Sequence, residues 1–134
     1  MLLRLLMLFV AAIPTPLLGA DLEFEGTPSV RVLVTAGVAQ TESLTPIQAK
    51  EFRVVIVRDG EGFVWASRNN VPLIKRESGA YVTYVAATGA GYVRIFNPGM
   101  RKLRDSLSPD QREKEFVYME HLITQMGSVT YFGK

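Results

Sequence analysis

The stretch from Glu51 to Phe96 constrains the fold most. Short β-branched and aromatic runs alternate there with turn-forming residues at close, regular intervals. Residues 51–58 (EFRVVIVR) read as a strand apolar enough to be central. Asp59-Gly60-Glu61-Gly62 is a turn by chemistry, because glycine supplies positive φ without steric penalty. Residues 63–68 return as a hairpin partner. Asn69-Asn70 turns the chain again, and residues 71–76 follow, with Pro72 marking an edge or a strand start. Ser78-Gly79 leads into a strand over 80–86, and Thr88-Gly89-Ala90-Gly91 links it to a partner over 92–96. The whole predicts a meander of about five antiparallel strands.

The flanks extend this pattern. Residues 30–35 (VRVLVT) alternate as a strand, preceded by a loose lead-in over 21–28. Residues 36–46 read as a connection. Thr45-Pro46-Ile47-Gln48 fits a capping box with proline at the first helical position, so 46–50 is either one helical turn or a plain loop. Ser108-Pro109-Asp110-Gln111 is a stronger helix start and Gly127 a natural stop. Between them Phe116, Met119, Leu122, Ile123 and Met126 recur at helical spacing. This predicts a helix over about 109–126, with residues 128–132 as a last short strand. The expected class is α+β: a curved antiparallel sheet or small barrel of about 6–7 strands, with one C-terminal helix packed against it.

Residues 1–20 carry a different signal. Arg4 precedes an apolar run from Leu5 to Ile13; Pro14 and Pro16 break it, and Leu18-Gly19-Ala20 offers a small residue for cleavage. That order reads as a secretory signal peptide. The run is too short to span a bilayer, which takes roughly 20 apolar residues. Residues 21–134 then form one domain, without a transmembrane span, in a periplasmic or extracellular setting. The chain has no cysteine, so disulfides, thiol catalysis and a lipoprotein anchor are all excluded. A small exported domain without disulfides must be held by its core alone. With no Asn-x-Ser/Thr acceptor after the leader, the composition favours a bacterial envelope protein.

Removing the leader takes away Arg4 and no acid, which leaves the remainder near neutral. The only tight basic cluster is Arg101-Lys102-Leu103-Arg104. A nucleic-acid partner would need a clustered basic face and is not expected. That short cluster reads as a solvated loop before a helix cap, or as a contact for anionic lipid or envelope polymer.

Catalytic chemistry finds little support. His121 is the single histidine, so a structural zinc site of the usual kind is excluded. On the expected helix it lies away from the apolar stripe, beside Tyr118, and no carboxylate is placed to orient it. No serine sits in a Gly-x-Ser-x-Gly elbow. Gly89-Ala90-Gly91 lacks the third glycine and following helix of a dinucleotide fingerprint. No cofactor, metal site or catalytic residue is assigned.

The aromatic set says more. If Val93 and Ile95 face the core, Tyr92, Arg94 and Phe96 face the other way. A strip of Trp65, Tyr81, Tyr92 and Arg94 is how a sheet face binds sugars, peptides or another protein. Tyr118 and His121 form a secondary candidate patch. The leading expectation is a non-catalytic exported domain that binds a protein or cell-envelope polymer. The alternatives are a small hydrolase using His121, or a homo-oligomeric structural subunit whose sheet edge pairs with its own copy.

Overall fold

A computed structural model describes residues 20–96 and 116–134. Ten strands make one sheet: β1 (Asp21–Gly26), β2 (Pro28–Thr35), β3 (Val38–Ser43), β4 (Val54–Asp59), β5 (Gly62–Trp65), β6 (Val71–Glu77), β7 (Tyr81–Ala86), β8 (Gly91–Phe96), β9 (Tyr118–Thr124) and β10 (Gly127–Gly133). A single short helix, α1 (Pro46–Glu51), lies among the described residues. The strand order is β1-β4-β5-β6-β7-β8-β9-β10-β2-β3, antiparallel at every pairing.

This corrects the expected α+β fold with 6–7 strands and a C-terminal helix. Residues 118–124, the heart of the expected helix, are β9, hydrogen-bonded to β8 on one side and β10 on the other. The burial shows why. Tyr118 and Glu120 are both 0% exposed and so face the same interior. Two residues apart, they share a face in a strand but not on a helix. The inward charge of Glu120 and the outward apolar Met119 and Ile123 hide the two-residue period and leave a spurious helical stripe. The lead-in over 21–28 is instead mostly β1, and the connection over 36–46 contains β3. The part of the expected helix over 109–115, the leader over 1–19, and Arg101-Lys102-Leu103-Arg104 all lie outside the described residues.

Elsewhere local chemistry sets the elements directly. Thr45 caps α1: its side chain accepts from the Gln48 N–H, and the Gln48 side chain accepts from the Thr45 N–H. Asn69 and Asn70 both take positive φ (57° and 56°), the paired left-handed geometry of a tight hairpin turn. Gly91 and Gly127 open β8 and β10 at φ 153° and 154°. A Cβ there would run into the carbonyl oxygens of His121 and Val34, so only glycine lets these strands approach their neighbours.

The path of the chain curls the sheet. One residue, Thr27, separates β1 from β2, yet β1 pairs with β4 and β2 with β10. Two residue steps reach only about 7 Å, so β4 and β10 must be brought close together. Thr27 N–H donates to the Lys134 carbonyl at 3.0 Å, and Lys134 N–H returns to the Thr27 carbonyl at 3.2 Å. The result is a half-barrel. Val54, Ile56, Trp65, Leu73, Tyr84, Ala86, Val93 and Tyr118 fill its concave side.

Candidate binding face

Two kinds of side-chain cluster stand out, one on each face of the sheet. On the concave face, contacts reach between strands that are not neighbours. Trp65 Nε1 on β5 donates to Glu120 Oε2 on β9 at 2.8 Å. Arg68, just past β5, grips the same carboxylate with Nη2 at 2.7 Å and Nε at 3.3 Å. The Arg68 guanidinium also lies 5.4 Å from the Tyr131 ring centroid. Phe52 stacks on Tyr131 at 5.2 Å, and Arg31, paired with Glu42, covers Phe52. Burial opposes the charge on Arg68, but the Glu120 hydrogen bond and charge outweigh it and raise its pKa. Burial, with Glu120 nearby, also raises the Tyr118 phenol, whose hydroxyl has no hydrogen-bond partner among the described residues.

A second inner cluster starts at a bulge. The register of β1 on β4 shifts between Leu22 and Phe24 and leaves Glu23 as the extra residue, aimed inward. Its Oε2 accepts from Tyr84 Oη at 2.6 Å and from Lys75 Nζ at 3.1 Å. Burial pushes the Glu23 pKa up, but those hydrogen bonds and the charge of Lys75 more than compensate, and the net shift is downward. Lys75 in turn lies over the Phe63 and Tyr84 rings. Both inner clusters tie distant strands together, and each charge in them meets an opposite charge.

The outer face differs. Its side-chain contacts join adjacent strands and leave polar ends at the surface. Register places Ile74, Val85, Tyr92 and His121 in one cross-strand row, and Arg76, Thr83, Arg94 and Met119 in the next. The Arg94 guanidinium sits 4.2 Å from the Tyr81 centroid and 5.2 Å from that of Tyr92. Tyr92 stacks on His121 at 5.2 Å, and His121 Nδ1 lies 2.9 Å from Thr130 Oγ1. Arg94 Nε donates to Thr83 Oγ1 at 3.3 Å. Tyr81, Arg94, Tyr92 and His121 thus form a continuous half-buried ladder across β7, β8 and β9.

The sequence-derived site residues divide between the two faces. Tyr81, Tyr92 and Arg94 come together outside. Trp65 is completely buried on the opposite face and takes no part in that surface. Tyr118 and His121 do not form a patch: Tyr118 points inward and His121 outward, three positions apart on a strand. His121 is partnered by Tyr92 and Thr130, while the adjacent Glu120 carboxylate lies on the other face, bound to Trp65 and Arg68. Sequence reading missed Glu120, Arg68, Glu23, Lys75 and Arg76. Strand register is the signal that finds them, and the misassigned helix concealed it.

Among the described residues no group of three or more potential metal ligands converges. A separate cavity of about 460 Å³ opens between the start of β2, α1 and Lys134, lined by Pro28, Ser29, Leu44 and Ala49 among others. No family model matches the chain, and neither a curated protein nor a solved structure matches it.

Proposed function

We propose that this chain is an exported, non-catalytic domain that binds a cell-envelope partner through the outer face of β7, β8 and β9. The observation that carries this reading is the Tyr81–Arg94–Tyr92–His121 ladder. The inner charges are consumed by the fold, each neutralised by an opposite charge. The ladder has no such task, since it joins strands already held by backbone hydrogen bonds. The leader read from residues 1–20 supports export, and the periplasm or the cell exterior is the proposed location. The test is capture of the purified protein by an isolated bacterial envelope fraction. A folded Tyr81→Ala/Tyr92→Ala/Arg94→Ala variant loses capture; unchanged capture rejects this face.

Self-association has one observation in its favour. β3 is an end strand whose residues are almost all exposed, with neither lysine nor proline to blunt it. Its one acid, Glu42, is drawn to Arg31. Sedimentation across a concentration series separates the two readings: a dimer dissolved by Thr41→Pro supports edge pairing, and a monomer throughout excludes it.

A further inference from the structure

We infer that the outer face recognises the acidic groups of an anionic polysaccharide, an inference that rests on the binding face proposed above. Three observations lead there. First, the ring faces of the ladder are already used. Tyr92 has His121 stacked against it and Arg94 beside it, and Tyr81 carries Arg94 on its face. The ladder therefore does not offer flat platforms for neutral sugar rings. It offers its edges: phenol hydroxyls, guanidinium N–H groups and the imidazole nitrogen not facing Thr130.

Second, the face is free of acids. The residues that register places outward on β6, β7, β8 and β9 include Arg76, Arg94 and His121 but no aspartate or glutamate. Neither arginine has a carboxylate partner among the described residues. Arg94 is held in place by Tyr81, Tyr92 and Thr83 while its outer nitrogens make no hydrogen bond among the described residues, which lowers the entropy lost when they bind an oxyanion.

Third, the two arginines lie in one row across the strands. Arg76 and Arg94 flank Thr83 in one cross-strand row, two strand spacings or roughly 10 Å apart. Two arginines in one cross-strand row on the convex surface suit an extended anionic chain lying across the strands, its carboxylates meeting both.

The test measures binding of the purified protein to polygalacturonate, with dextran as the neutral polysaccharide and poly-glutamate as the acidic polypeptide. The inference predicts that polygalacturonate binds more tightly than either. Its affinity falls as salt rises from 50 to 200 mM, about the range over which phosphate contacts weaken in other polyanion complexes. Arg94→Gln and Arg76→Gln each weaken it about tenfold, as loss of one charge-assisted hydrogen bond requires. Equal binding of dextran, preference for poly-glutamate, or unchanged affinity in both arginine variants overturns it. Envelope capture by the triple alanine variant separates the two levels. If that variant loses capture while polygalacturonate fails to bind the parent, the face stands and the anionic ligand falls. If capture is unchanged, both fall.

Discussion

Trp65 and Glu120, 55 positions apart, meet in the interior of the half-barrel, where the indole N–H donates to the carboxylate at 2.8 Å. Both side chains are fully buried, and Arg68 closes the group as a two-point ion pair. Because β5 and β9 are not neighbours in the sheet, this contact exists only when the sheet has curled. It is the clearest chemical report of the curled shape.

Removing one member strands the others. Glu120→Ala leaves Arg68 and the Trp65 N–H without an acceptor, and destabilises the protein by about 3–5 kcal/mol. A double substitution, Arg68→Met with Glu120→Leu, removes both charges and recovers most of that loss. Denaturant melts of Arg68→Met, Glu120→Leu and the double variant give the coupling. Strictly additive losses contradict the paired geometry.

Glu23 makes the fold sensitive to acid. Its folded pKa is lowered, chiefly because the hydrogen bonds from Tyr84 and Lys75 overcome burial. A depressed carboxylate contributes stability above its unfolded value, about 4.3, and that contribution is lost as pH falls through the folded value. Stability therefore falls as the medium is acidified below about pH 4. Glu23→Gln is less stable at neutral pH but shows a flatter acid limb in thermal melts. An equally steep limb rejects the assignment.

Tyr84 and Tyr118 act in the opposite direction. Burial raises both phenols, with Glu23 adding to the shift of Tyr84 and Glu120 to that of Tyr118. A raised pKa contributes stability that is complete below the unfolded value of about 10 and is lost as pH climbs through the folded value. Ultraviolet titration should show two of the five phenols resisting ionisation until the protein unfolds in alkali. Five equivalent phenols contradict the buried placement.

Gly127 tests the register of β10 against β2. At φ 154° its position is one that side chains rarely adopt, and a Cβ there meets the Val34 carbonyl oxygen. Gly127→Ala costs about 1–3 kcal/mol by backbone strain, with more if β2 is pushed away. Gly62→Ala, where the added carbon makes only an ordinary 3.7 Å contact with the Asp59 carbonyl oxygen, serves as the control. Equal melting temperatures for the two variants contradict the close approach.

What could be read from sequence follows local signals. The meander between Val54 and Phe96 was legible because β-branched runs and Gly or Asn turns report the same local geometry twice. The Thr45–Gln48 capping box was legible because it involves four consecutive residues. The strand at 118–124 was not. Glu120 points into the core, so charge appears on the face where alternation demands an apolar residue, while Met119 and Ile123 sit outside. Only the partners of Glu120, Trp65 and Arg68, make that placement stable, and both lie more than fifty positions earlier. β1 escaped notice for a related reason: its bulge at Glu23 interrupts the two-residue period. The outer ladder was half legible. Alternation on β8 grouped Tyr92 with Arg94, but only register against β9 brings His121 beside them, and only register through β6 and β7 sets Trp65 on the opposite face.

The central claim is that ligand contacts the outer face at Tyr92. Replacing Tyr92 with a benzophenone amino acid, and separately replacing Thr41 on the exposed strand β3, gives two folded proteins that report contact by photocrosslinking. Irradiation with the envelope fraction should yield an adduct from position 92 and none from position 41. Adducts of equal yield from both positions, or none from position 92 while capture persists, would contradict the account.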